Sequence, residues 1–369
     1  MASRGIVLES GLRAISRAAM IWVVLTLVVL YTVTTFADRA YHLARRSRAE
    51  ASYRAGTELA ARGRYAQAVA DFRAASVYEH DDSKYRFALA QTLMALKRWN
   101  EAENYLLELR AEDPTSGPVN LALARVDVKE ARDADAVDNY HRAIFGSWPD
   151  HAQESRIATR FELIGLLNRD GRQKEVLAEL LQLAGEIPVT DTATLQRVAD
   201  ALLVRGAPQH AADIYREILS AHPRTAAAEQ GLGDAEFAMG DFASAHRSFD
   251  AAARFGGSLP GLAKRLALTN SILELDPTML RLTANQRFDR ARELLQRSLD
   301  ASQGCTLPPD ITSTAQQALS QAKHRQRNGE TLEMLMLAQG VWRDRTTTCP
   351  DQPVTDQALA ALMSKLLKQ

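Results

Sequence analysis

Cysteine is scarce: two in 369 residues, which excludes a disulfide-dense scaffold and a multi-cysteine zinc site. Nineteen glycines and 12 prolines are too few for a collagen-like or loop-rich chain. Neither sign of charge predominates, since 45 Lys and Arg face 45 Asp and Glu. A net charge of zero gives no global pull toward nucleic acid, although it can hide two opposed blocks. The motifs of catalysis are also absent. Gly231-Leu232-Gly233 lacks the third glycine of a nucleotide loop and lies in a helical stretch, where it serves close packing. The eight histidines show no HExxH spacing and no Cys/His cluster, the two cysteines stand 44 positions apart rather than as CxxC, and nothing marks a strained nucleophile turn. The reading is a non-enzyme with no catalytic residue, metal, cofactor, small-molecule substrate or nucleic-acid partner. What is present is a hydrophobic fraction of 46%, enough to exclude low-complexity disorder and to fill one large or two ordinary domains.

The charges are unevenly spread. Residues 1–48 hold seven arginines (Arg4, Arg13, Arg17, Arg39, Arg45, Arg46, Arg48) against Glu9 and Asp38, an excess of +5 that leaves −5 for the rest. Between Arg17 and Asp38 lie 20 uncharged residues, 18–37, with the core MIWVVLTLVVLYTVTTF. At about 1.5 Å per residue they span roughly 30 Å, the thickness of a bilayer's hydrocarbon core. Trp22 near one end, Tyr31 and Phe36 towards the other, and flanking arginines suit the two interfaces. Arg17, Trp22, Arg39, Arg45, Arg46 and Arg48 are therefore expected at the membrane surface, with Arg45, Arg46 and Arg48 as an anchor that contacts anionic lipid. A buried core helix and a cleaved signal peptide ending at Thr35-Phe36-Ala37 are the alternatives. The apolar run exceeds the ~7 to 15 residues usual for a signal peptide. Arginines on both flanks leave the positive-inside rule close to a tie.

From residue 49 a 34-residue period emerges. The unit 49–82 sets small Gly56, Ala68 and Ala75 among large Leu59, Tyr65 and Phe72, with Gly63 at a turn. Unit 83–116 repeats the plan with Leu89, Ala90, Leu93, Trp99, Ala102, Leu106 and Pro114. Unit 117–150 keeps Leu123, Ala124, Ala136, Tyr140 and Ala143 but has Asp133 where an aromatic is expected. After a slip of six residues comes a degenerate unit near 157–190. The pattern recovers at 192–225 and is strongest at 226–259, with Leu232, Gly233, Gly240, Phe242, Ala245, Phe249 and Ala252. In each unit, apolar residues recur at three- and four-residue intervals over two stretches, which predicts a pair of amphipathic helices. One pair cannot bury its apolar face alone, and stacking of pairs builds a continuous core.

These residues at these spacings resemble the tetratricopeptide repeat family over about 210 residues. The resemblance implies an all-α helix-turn-helix solenoid, a right-handed superhelix, here preceded by one N-terminal transmembrane helix. The expected organisation is a short segment 1–17, the span 18–37, a basic helical linker 38–48, a solenoid of about six units over 49–259 and a helical capping region 260–369. The family binds partners through the first helix of each unit. Place five of that helix holds Tyr53, Phe87, Leu121, Phe161, Gln196 and Gln230, and place nine holds Thr57, Gln91, Arg125, Gly165, Asp200 and Asp234. The membrane-proximal groove thus reads as apolar and aromatic, and the distal groove as polar and acidic. The Lys and Asn pair that clamps a peptide carboxylate in some members is missing, which disfavours chaperone tails. The expected partner groove is Tyr53, Phe87, Gln91, Leu121, Arg125 and Phe161, with aromatic anchors and Arg125 as the charged contact. The alternative is that these side chains pack against neighbouring helices.

Beyond 260, residues 262–275 read as a helix ended by Asp276-Pro277, and Thr283 with Gln286 forms a capping box for a helix over 287–301. Further helical stretches fall near 312–327, 330–344 and 354–368, the second with Leu332, Leu335, Leu337 and Trp342 as packing residues. Cys305 and Cys349 both fall in loops beside prolines. A Cys305–Cys349 disulfide is the preferred reading over buried free thiols, and it favours an oxidising compartment. The expected function is a non-catalytic scaffold or assembly factor, single-pass in a bacterial inner membrane with a periplasmic C-terminal domain. It would hold protein partners of an envelope complex. The alternatives are a cytoplasm-facing adaptor for secretion, pilus or polysaccharide machinery, and a maturation factor using Cys305 and Cys349.

Overall fold

No proline precedes Pro114 and no glycine lies between Gly11 and Gly56, so nothing in that stretch interrupts a helix. The result is α1, Arg4–Ala61, a single helix of 58 residues and therefore about 87 Å long. In the computed structural model, which describes residues 4–256, 259–322 and 328–368, with side chains from Met20 onward except at Asn328, the described residues form seventeen helices and no strand. The large apolar residues from Met20 to Phe36 stand in the open, from 50% exposed at Leu25 to 75% at Phe36. This one helix is long and apolar enough to cross a membrane. Among the side chains described from Met20 onward, Ala49 is the first fully buried one, and there α1 becomes the first helix of a packed pair.

The chain divides into two compact units at Arg169 and Asp170. The first contains α1, α2 (Tyr65–Tyr78), α3 (Ser83–Ala95), α4 (Trp99–Glu112), α5 (Gly117–Lys129), α6 (Asp133–Ile144) and α7 (Ala152–Arg169). Consecutive helices pair and stack, with Phe72, Leu89, Leu93 and Ala102 filling one inter-helix core and Leu106, Val119, Leu123 and Val126 the next. Phe72 covers Gly56, where an added Cβ would come 2.9 Å from its ring.

The second unit contains α8 (Gln173–Glu186), α9 (Thr192–Val204), α10 (Pro208–Ala221), α11 (Ala226–Ala238), α12 (Phe242–Gly256), α13 (Leu262–Leu275), α14 (Ala284–Asp300), α15 (Pro309–Gln321), α16 (Asn328–Thr348) and α17 (Gln357–Leu366). Phe249 lies over Gly233 as Phe72 does over Gly56, 16 positions after the glycine in both cases, and a Cβ on Gly233 would come 2.5 Å from that ring. Gly231 meets Tyr215 in the same way, which is the close packing expected of this glycine pair. From α12 onward a different core forms around Phe242, Ile272, Phe288, Leu294, Trp342 and Leu362. The Thr283–Gln286 capping box opens α14. On α16 the buried positions are Met334, Ala338, Val341, Trp342 and Arg345, so the sequence reading of Leu332 as a packing residue is corrected: it is 60% exposed. Its position is two residues before Met334, off the buried stripe of a helix with 3.6 residues per turn.

The repeat period is written most plainly in the turns. The turn after the first helix of each repeat unit holds a residue with positive φ: Gly63 (73°), Lys97 (60°), Ala131 (57°), Gly171 (72°), Gly206 (72°) and Gly240 (81°). The intervals are 34, 34, 40, 35 and 34 residues, and the long one contains the six-residue slip. A left-handed residue here turns the chain through the short loop, and at Lys97 and Ala131 a side chain is carried in a conformation that glycine adopts without cost.

Candidate partner-binding face

All six residues of the expected groove lie in the first unit: Tyr53 on α1, Phe87 and Gln91 on α3, Leu121 and Arg125 on α5, and Phe161 on α7. They do not form one open surface. Tyr53 is half-buried between Phe72 and Tyr85, with ring centroids 5.7 and 5.4 Å away, and the Lys84 ammonium sits 4.1 Å above its ring. Phe87 packs partly buried against the cluster that contains Leu106, Val119 and Leu123. Leu121 and Phe161 are half-buried, while Gln91 and Arg125 are exposed. Aromatic residues at helical spacing are thus shared between helix packing and surface, and Gln91 and Arg125 are the exposed polar residues of the six.

Arg125 is engaged within the chain. Its Nε and NH2 donate to the two oxygens of Glu162 at 3.0 and 2.6 Å, a two-pronged pairing between α5 and α7. The hydrogen bond to Glu162 holds the guanidinium pKa above its ordinary value, against the opposing effect of burial. Tyr140 on α6 donates to the same carboxylate at 3.3 Å, and its phenol pKa is raised, first by burial and then by that negative charge. Glu162 and Tyr140 are the members of this cluster that sequence reasoning missed. The signal was an opposite charge on the next unit's first helix, 37 positions after Arg125.

The acids expected to make the distal groove negative are likewise paired. Asp200 accepts a hydrogen bond from the Tyr215 hydroxyl, and Asp234 forms an ion pair with Arg265 of α13. Burial pushes the Asp234 carboxyl up to about 6, with Arg265 opposing and Asp200 adding to the rise. Gln230 donates to the Pro260 carbonyl at 3.3 Å. Among the described residues no group of three or more His, Cys, Asp or Glu could hold a metal ion.

The residues assigned to the membrane surface separate into two sets. Trp22, Arg39, Arg46 and Arg48 are exposed on α1, and the side chain of Arg17 lies outside the described residues. Arg45 instead turns toward α2: its Nε donates to the Tyr78 carbonyl at 2.9 Å and NH2 reaches the Val77 carbonyl at 3.5 Å. A cation on the open carbonyls of a helix C-terminus satisfies groups with no partner inside the helix. Arg45 thereby ties the rod to the first hairpin.

In the second unit Cys305 and Cys349 are joined by a disulfide across 44 positions. Arg345, buried under the same loops, donates from Nε to the Ala301 carbonyl and from NH2 to the Gln352 carbonyl, both at 2.9 Å. Both arms of the bridge are held by this one guanidinium. A cavity of about 590 Å³, lined by Gln296, Asp300, Gln303, Thr306 and Gln316 among others, adjoins Cys305.

Residues 59–126 match the tetratricopeptide repeat family. No curated protein matches the chain. Among solved structures it is similar to the C-terminal part of a TPR repeat-containing protein from Cytophaga hutchinsonii, at 12% identity over 84% of this chain and 99% of that one, with a TM-score of 0.41. It is also similar to YrrB, described as a TPR protein with an unusual peptide-binding site, at 16% identity over 53% of this chain and 97% of that one, with a TM-score of 0.38. A third is PilW, described as a type IV pilus biogenesis factor, at 14% identity over 59% of this chain and 98% of that one, with a TM-score of 0.35.

Proposed function

This chain carries tetratricopeptide repeats, and on that premise we propose that it is a non-catalytic scaffold that holds partner proteins of an envelope complex beside a bacterial inner membrane. The observation that carries the proposal is the continuity of α1. Its exposed apolar stretch and the first helix of the first repeat hairpin are one unbroken helix, so a membrane-held end would position the repeat faces directly. Stacked helical hairpins present a broad surface of first helices, suited to an extended or helical segment of another protein. On that surface Gln91 is the open hydrogen-bonding group, Phe87 and Leu121 supply half-exposed apolar area, and the Arg125–Glu162 pair adds fixed charge of both signs. The disulfide supports export of the region after α1, because such a bond persists in oxidising compartments.

The test is site-specific photo-crosslinking of the full chain in membranes, with the probe at Gln91 on α3 or at Glu108 on the exposed side of α4. A partner captured from Gln91 but not from Glu108, and lost in Leu121→Asp, supports the assignment. Equal capture from both sites, or capture that survives Leu121→Asp, refutes this face as the docking surface. Release of the chain by alkaline extraction refutes the anchor.

A further inference from the structure

We propose that the face of α1 carrying Arg39, His42 and Arg46 is a binding site for the phosphate headgroup of an anionic phospholipid. This rests on the reading of residues 18–37 as a membrane span, and it assigns to one helix face what the sequence offers only as a run of basic residues.

Residues 39, 42, 43 and 46 stand at i, i+3, i+4 and i+7, so Arg39, His42, Leu43 and Arg46 share one side of the helix. Together with Glu79, just beyond the C-terminus of α2, they line a cavity of about 460 Å³. Arg39 and Arg46 have no ion-pair or hydrogen-bond partner among the described residues, whereas the neighbouring Arg45 is committed to the α2 carbonyls. His42 reaches Asp38 at 3.3 Å. Glu79 is the second acid facing the site, so an incoming phosphate meets two unpaired guanidiniums beside two carboxylates, one of which is already in contact with His42. Leu43, 68% exposed on the same face, offers an apolar contact between them.

The heights fit a lipid rather than a soluble anion. Counting from Ala37 at about 1.5 Å per residue, Arg39 stands roughly 3 Å and Arg46 roughly 13 Å beyond the hydrocarbon edge. Headgroups occupy about 5–7 Å of that distance. Arg39 therefore lies in the headgroup layer itself, and the long side chain of Arg46 reaches down to it from above. Arg48 makes the comparison sharp. It is exposed, unpartnered among the described residues and only two positions further on, yet it lies about 200° around the helix from Arg46.

The experiment uses the full chain in detergent micelles, offered phosphatidylglycerol and phosphatidylcholine in equal amounts, with bound lipid read by native mass spectrometry. The expected result is a preference for phosphatidylglycerol that falls about five-fold in Arg46→Ala and about 25-fold in Arg39→Ala plus Arg46→Ala. Arg48→Ala, with the same loss of charge, retains the preference, and Arg46→Lys restores most of it. Equal losses in Arg46→Ala and Arg48→Ala, or no preference in the parent chain, overturn the site. If the chain also leaves membranes on alkaline extraction, the membrane reading has failed; if it stays, only the headgroup site has.

Discussion

The left-handed turn residues allow a sign test of the repeat plan within one molecule. Gly63, Gly171 and Gly206 have φ of 72–73° and nothing within 4 Å of an added Cβ, so alanine there meets only the backbone cost. That cost is about 1–2 kcal/mol, and the reduced freedom of the unfolded chain returns about 0.4–1 kcal/mol of it. Gly63→Ala should therefore destabilise the first unit by roughly 1 kcal/mol. Ala131 occupies the equivalent turn at φ 57° and is exposed, so Ala131→Gly should stabilise by about 0.5–1 kcal/mol by the same reasoning reversed. Three positions on, Ala134 is exposed in the first turn of α6, and Ala134→Gly should cost up to about 1 kcal/mol through helix propensity. For a unit of this size each kcal/mol is about 2–4 °C in Tm. Thermal melts by circular dichroism, with hydrogen exchange assigning the transition to the first unit, give the readout. A fall in Tm for Ala131→Gly matching that of Ala134→Gly would refute the turn argument.

Two further predictions concern the second unit. Cys305→Ser plus Cys349→Ser should lower its stability by about 4 kcal/mol on the chain-entropy account of a 44-residue separation and make its Tm indifferent to reductant; an unchanged Tm on reducing the parent protein would contradict this. Because the folded Asp234 carboxyl is raised to about 6 from its ordinary 3.8, the folded state binds more protons than the unfolded state between those values. Its contribution is present below about pH 4 and is lost as pH rises to about 6, on the order of 3 kcal/mol, and urea titrations across that range should show a flatter profile for Asp234→Asn.

How much the sequence disclosed depended on whether a feature was local. Small residues facing large ones and the recurring turn glycines follow from helix geometry within one hairpin, and Gly233 opposite Phe249 is legible from spacing alone. The helix over 262–275 and the capping box at Thr283 were equally local. Lys97 and Ala131 show where such reading thins: the backbone demands a left-handed residue, but nothing in their side chains announces it. Pairings across units were harder still. Arg125 and Asp234 stood at positions that suggested open charge, yet Glu162 and Arg265 pair with them through contacts set by how one hairpin seats on another, while Asp200 accepts a hydrogen bond from Tyr215 within its own hairpin. Arg45, grouped by sequence with Arg46 and Arg48, differs from its neighbour Arg46 because residues one position apart on a helix point 100° apart.

The unbroken α1 has one further consequence, for azimuth. A rigid helix transmits rotation as well as height, so the direction in which the first unit faces relative to the apolar stretch is fixed by the number of residues between that stretch and the first hairpin. One residue inserted within 38–48 would turn that unit by about 100° about the rod and lift it about 1.5 Å, whereas seven would bring it back to within about 20° of its heading, roughly 10 Å farther out. If residues 18–37 are held in a membrane as proposed, the length of this segment is a phase setting, and a partner in the same membrane would meet the repeat face only at particular values of it.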